Sequence, residues 1–268
     1  MEVFFTEHQS EIYTWAFLIT FGVVALWEGA RPRRELTAPL KTRWLNNFGL
    51  LTANSLLMWL VYPGFGFASA IVAAEYDVGL LHWFEIPYWI AFVVSILVLD
   101  IGHYVIHFAF HHVPVLWRIH RVHHSDPDFD VTTGSRFHPL EGLFEHGANL
   151  LVIVLLGPPI AAVMIFVLAY LLTTFWVHGN IRMPGRWDAR LRRVMVTPEM
   201  HRIHHSERHE ETNSNYGGLL SGWDRLFGTY VDQPYGGHEG MIIGLREFRE
   251  EKHIRLPWMI ANPFLGNK

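Results

Sequence analysis

The sequence predicts an all-α integral membrane bundle of about three spans plus a helical hairpin, with a cytoplasmic helical cap carrying a cluster of histidines. Three observations predict it. Half of the 268 residues are apolar and only 17% are charged, against about 25% charged for a soluble globular chain. The basic residues come in groups (Arg31, Arg33, Arg34, Lys41 and Arg43; then Arg118, Arg121 and Arg136; then 13 from Arg182 onwards), and the intervals between groups are apolar. Cysteine is absent, while 14 of the 18 histidines lie between His103 and His209. The missing cysteine excludes disulfides, thiolate zinc sites, iron–sulfur clusters and cysteine nucleophiles. A net charge of −4 gives no reason to expect a nucleic-acid partner.

Residues 12–29 form the first apolar stretch, about 27 Å long as a helix, enough to cross a hydrocarbon core of about 30 Å with modest flanking help. The Arg-Pro-Arg-Arg run follows this stretch instead of preceding it, so it is an anchor with its N-terminus outside and not a cleavable signal. Residues 46–62 return as a second helix, interrupted by Pro63-Gly64-Phe65-Gly66. Residues 87–110 make a third, with Pro87 suited to a first helical turn. Residues 140–177 are too long for one span and break at Gly157-Pro158-Pro159, which predicts a hairpin of 17 and 19 residues beginning just after Pro139. With that hairpin all 21 Lys and Arg fall on one face of the membrane, and the positive-inside rule makes that face cytoplasmic. From Arg182 onwards the chain is polar and turn-rich, a cap over the helix ends. Its Leu256-Pro257-Trp258-Met259-Ile260 piece either lies along the interface or packs back on the cap. The expected organisation is one integrated domain: an anchor region over 1–92, a catalytic region over 93–232 and a tail over 233–268.

The histidine spacing carries the chemistry. His103 and His107 stand four apart at the end of the third helix, after Asp100. His120, His123 and His124 then form a five-residue pattern that recurs as His201, His204 and His205. Positions i, i+3 and i+4 share a helical face, so each motif presents three imidazoles to one side. Neutral imidazole is the commonest metal ligand, and eight are too many for one ion that also binds a substrate, which implies two ions. Among the remaining histidines, His138 precedes a helix start and is a candidate for ligation, capping or support of a ligand. His111 and His112 are expected to pack at the helix end. Asp100 and Asp224 are candidates to orient imidazoles through the nitrogen that does not bind metal, and Asp100, late in a membrane helix, is costly without a partner. Other site types find no match: only Glu250-x-x-His253 fits the pattern of carboxylate-bridged di-iron bundles, and zinc-protease, serine-hydrolase and nucleotide-binding motifs are missing.

Over residues 96–230 the sequence resembles the fatty acid hydroxylase and sterol desaturase superfamily of membrane di-iron enzymes. The resemblance rests on the three histidine motifs, on Ser135-Arg136-Phe137-His138-Pro139, on His178-Gly179-Asn180, and on Asn215-Tyr216-Gly217 followed by residues 223–229. It implies that the eight motif histidines and His178 bind two irons. Thr174 stands where some members carry a further histidine, and His138 is the nearest substitute. Asn215 joins His138, Asp100 and Asp224 as a candidate ligand or supporting residue. The activity implied is O2-dependent hydroxylation or desaturation of an unactivated C–H bond in a lipid drawn from the bilayer. Electrons would come from an external electron-transfer protein, because no flavin or nicotinamide fingerprint occurs. The rival classes are a histidine-rich metal transporter or storage protein, expected to place ionisable groups deep within several spans, and a zinc-dependent membrane hydrolase.

Overall fold

A computed structural model describes residues 7–62, 71–72 and 75–266, and among them every regular element is helical. The long elements are α1 (Gln9–Ala30), α2 (Leu40–Val61), α3 (Tyr88–His112), α4 (Pro114–His124), α5 (Pro139–Leu156) and α6 (Ile160–Val177). Shorter helices in the cap include α7 (Gly185–Leu191), α8 (Pro198–His204), α9 (Gly222–Leu226) and α10 (Leu256–Ala261). By length and composition α1, α3, α5 and α6 can each cross a membrane. α6 packs on α1 and α3, and α5 packs on α2 and α3. Leu99, Ile153, Val163 and Phe166 form the apolar core where α3, α5 and α6 meet. The outer faces keep large apolar side chains uncovered, Leu26 at 77% and Trp59 at 69% exposure, which suits lipid as their solvent and not water.

Prolines set the helix starts. Pro114 leads α4 and Pro139 leads α5, positions where a missing N–H costs nothing. Val113, before Pro114, is extended at φ −95 and ψ 115, as the residue preceding a proline must be, so α4 leaves α3 at a sharp turn. The hairpin has two arms of 18 residues. Gly157 ends the first in the left-handed region at φ 65, where a side chain would also meet His82.

α2 begins six residues before the expected second helix and is not among the four helices apolar enough to cross by composition. Its first turns belong to the polar cap. Arg43, 0% exposed, donates from Nε and Nη2 to Asp126 at 2.9 Å each and from Nη1 to Asp130. Asn47 donates to Thr132 Oγ1 at 3.0 Å and accepts from Arg136 Nη1 at 3.0 Å. The Pro63–Gly66 break lies outside the described residues. α10 packs back on the cap: Met259 buries against Leu50 and Val122, and Arg121 holds the following residue through Asn262 Oδ1 at 2.9 Å.

Candidate metal centre

α3 and α6 end, and α5 begins, at the same end of the bundle, where α4 and α8 lie across them. This brings nine buried imidazoles together in two groups. One contains His107, His111, His120, His124 and His204; the other contains His123, His178, His201 and His205. Within each group one nitrogen from every ring lies within 4.8 Å of the others. The two repeated motifs divide in opposite senses: α4 gives His120 and His124 to the first group and His123 to the second, while the α8 motif gives His201 and His205 to the second and His204 to the first.

The far side of the rings fixes which nitrogen is bare. His107 Nδ1–H donates to Tyr216 O at 2.9 Å, His204 Nδ1–H to Ser214 O at 2.7 Å, His178 Nδ1–H to Thr174 O at 2.6 Å, and His120 Nδ1–H to Glu141 Oε1 at 2.5 Å. Each such bond leaves Nε2 as a lone pair. His178 Nε2 then faces His123 Nε2 at 3.1 Å and His201 Nε2 at 3.0 Å, His201 faces His205 Nε2 at 3.3 Å, and His120 Nε2 faces His124 Nε2 at 3.1 Å. The Nε2 atoms of His107, His111 and His204 are buried without a hydrogen-bond partner. Inward lone pairs at this spacing repel unless a cation lies among them, and nitrogen donors about 2.1 Å from a shared ion have such separations. Backbone carbonyls and a carboxylate on the opposite ring nitrogens are the usual support of metal-binding histidine.

The electrostatics agree. Burial first, and the surrounding imidazoles second, hold His120, His123, His124, His201, His204 and His205 well below the ordinary histidine range. Burial pushes His178 down to about 4, opposed by the Thr174 carbonyl. All seven are therefore neutral near pH 7, the form that binds metal.

The structure gathers eight of the nine histidines the sequence singles out, and places His103 outside both groups. His103 Nε2 lies 3.1 Å from Tyr170 Oη, and its Nδ1 lies 3.4 Å from Glu145 Oε1. His111, expected to be packing, joins the first group in its stead. His138 caps α5, accepting from Leu140 N at 3.1 Å and meeting Ile260 O at 3.2 Å, so both its nitrogens are engaged away from the groups. Asp100 and Asp224 reach no ligand ring. Asp100 accepts from the Leu219 and Leu220 amides and from Trp223 Nε1. Asp224 accepts from the Tyr216 and Gly217 amides, and burial pushes its carboxyl up to about 6. Asn215, at φ 52, bonds to Met200 O and, through both ends of its amide, to Val231. These residues hold the 214–220 turn, and the turn supplies the carbonyls that hold His107 and His204.

Glu141, Glu145 and Tyr170 are the functional candidates that sequence reasoning missed. The signal was available: two carboxylates four apart in an apolar helix are costly in a membrane. All three line a cavity beside the imidazoles, with His103, Ile106, Phe110, Phe137 and Val177.

The family model described as fatty acid hydroxylase matches residues 92–229. Alkylglycerol monooxygenase of Xenopus tropicalis is 33% identical over 191 residues, covering 68% of this chain and 40% of the relative. Ornithine lipid hydroxylase OlsE of Rhizobium tropici is 30% identical over 227 residues, covering 81% of this chain and 66% of the relative. Methylsterol monooxygenase 1 of Gallus gallus is 24% identical over 184 residues, covering 65% and 56%. The matches thus span less than two thirds of each relative's own length. No solved structure matches.

Proposed function

The chain belongs to the fatty acid hydroxylase family, and from that membership we propose that it is a multi-pass membrane oxidoreductase that uses dioxygen at a di-iron centre to hydroxylate an unactivated C–H bond of a lipid. The observation that carries the reading is the pair of converging, buried, neutral imidazole groups at one end of an apolar bundle. His107, His111, His120, His124 and His204 would hold one ion, and His123, His178, His201 and His205 the other. This set replaces His103 of the sequence motif by His111. Imidazole sets of this kind suit iron as well as zinc, and the names of the relatives, monooxygenases and hydroxylases, favour the redox metal and hydroxylation over desaturation.

When bound, the irons supply the reduction of dioxygen and the oxidation of carbon; one oxygen atom enters the C–H bond and the other leaves as water, with two electrons and two protons from outside. An external electron-transfer protein is the proposed source of the electrons. The chain's own part is to bind, orient and exclude water. Glu141 and the carbonyls of Thr174, Ser214 and Tyr216 fix the rings, so the donor set is organised before metal arrives. Ile106, Phe110, Phe137 and Val177 give the cavity apolar walls that keep bulk water from the reacting atoms. The cavity draws its lining from α3, α5 and α6, which suits lateral delivery of a lipid. The positive-inside rule puts this end and the C-terminus on the cytoplasmic side.

Metal analysis of anaerobically purified protein should find about two irons per chain, the number of imidazole groups. With reductant and 18O2 the protein should place one labelled oxygen atom in a lipid, and His204→Ala should abolish that labelling. Stoichiometric zinc with no oxygen uptake would overturn the reading in favour of a hydrolase.

A further inference from the structure

His103, Glu145 and Tyr170 form a polar tier within the cavity, one from each of three packed helices. Their positions along those helices are regular. His103 precedes His107 by four residues on α3, Tyr170 precedes Thr174 by four on α6, and Glu145 follows Glu141 by four on α5. α3 and α6 run toward the imidazoles while α5 runs away from them, so all three displacements point the same way, about 6 Å toward the middle of the apolar bundle. The Gly217-Gly218 turn closes against the tier. A Cβ on Gly218 would lie 2.6 Å from His103 Cδ2 and 3.1 Å from Tyr170 Cε2.

One arrangement of protons serves both contacts: Tyr170 O–H donates to His103 Nε2, and His103 Nδ1–H donates to Glu145. The chain of donors ends on a carboxylate, which makes the tier a net acceptor inside an apolar wall. Beside it Glu141 Oε2 is buried with no hydrogen-bond partner, on a residue 1% exposed that lines the same cavity. Unfilled acceptors in such surroundings are costly. A saturated hydrocarbon chain would leave them unfilled.

We propose that this tier reads the polar group of the substrate, accepting a hydrogen bond from a hydroxyl or ammonium, so that the lipids oxidised are those whose reacting carbon lies within a few bonds of such a donor. The inference rests on the oxygenase reading for what happens to that carbon. His103 and His107 ring centres are 5.9 Å apart, so a donor held by Glu145 leaves room for only a short spacer before the imidazole groups. Glu145, His103 and Tyr170 are then positioning residues, and the oxidation of a carbon far along a plain acyl chain is disfavoured.

The test is equilibrium binding to the full-length, iron-loaded protein in nanodiscs without oxygen, where no turnover occurs. Chain-brominated hexadecanol, hexadecylamine and hexadecyl methyl ether are titrated against tryptophan fluorescence. The alcohol and the amine should bind about tenfold or more tightly than the ether, the scale of a hydrogen bond to a charged acceptor. Glu145→Gln should reduce the preference for the amine more than that for the alcohol, because the amide still accepts but carries no charge. Tyr170→Phe should weaken both preferences with iron content unchanged. Should Glu145→Gln fail to fold, Tyr170→Phe, which removes one hydroxyl, carries the test. Equal binding of all three lipids by the unaltered chain, or unaltered ratios in the variants, would overturn the proposal, as would loss of an iron in His103→Asn. Failure of 18O2 labelling, by contrast, would sink the oxygenase reading while leaving these binding ratios to stand.

Discussion

Glu141 shows how much of the proposed metal site rests on a residue outside the imidazole groups. Its Oε1 accepts a hydrogen bond from His120 Nδ1–H at 2.5 Å, fixing the tautomer that turns Nε2 inward. Removing such a support costs about 10–100-fold in metal affinity. Glu141→Ala should fall in that range by metal titration and Glu141→Gln, which keeps an acceptor, should lose less. His111, expected from the sequence to pack at the helix end, stands in the first group: His103, His107 and His111 repeat a spacing of four twice over, and spacing alone cannot choose which adjacent pair faces the centre. The turn at Val113-Pro114 decides it, by folding α4 back so that His120 and His124 come alongside His107 and His111, with ring centres 5.0 Å apart for His107 and His120 and 4.8 Å for His111 and His124.

At the scale of elements, the three-histidine motif is legible as a single face and yet serves two groups. On a helix of about 100° per residue, i+4 lies about 40° to one side of i, and i+3 about 60° to the other. The i and i+4 rings therefore share a group while i+3 leans into the next, and the two motifs interlock with roles reversed. The polar clamp on α2 is less legible, because an arginine that closes a basic group ahead of an apolar run reads as a helix flank. Arg43 joins α2 to the 126–130 segment, which directly follows the α4 motif. Removing one partner of a buried ion pair costs about 3–5 kcal/mol. Arg43→Ala should lower stability by that order in detergent unfolding, with faster amide exchange over 126–135 as the local signature.

For the whole molecule, the crowd of buried neutral imidazoles makes the metal-free chain acid-sensitive. Six histidines outside the spans sit well below the ordinary value of 6.5, and His178 is at about 4. Unfolded, each takes a proton near 6.5; folded, each resists it, so the unfolded state binds more protons below that pH. Stability then rises with pH up through about 6.5 and falls as pH drops beneath it. The metal-free protein should show a falling unfolding midpoint from pH 6.5 toward pH 5, while a flat profile would mean the rings are open to water. Metal held as proposed would compete with the same protons, so its loss on acidification should begin at lower pH than the unfolding of the metal-free chain.

The sequence by itself determined the helical membrane architecture, the hairpin that returns the chain to one end, and, by spacing, seven of the nine imidazoles the structure gathers, with His178 added only by the family resemblance. Those are periodic and local properties: apolar length, proline and glycine punctuation, and the 3.6-residue repeat. Only the tertiary structure decided that His111 and not His103 completes the first group, that Glu141 supports it, and that Asp100, Asn215 and Asp224 act on a turn instead of a ring. The reason is physical. Which side chains converge depends on how α3, α4, α5, α6 and α8 cross and on which backbone carbonyls the 214–216 turn presents, and neither is encoded in the spacing along any one helix.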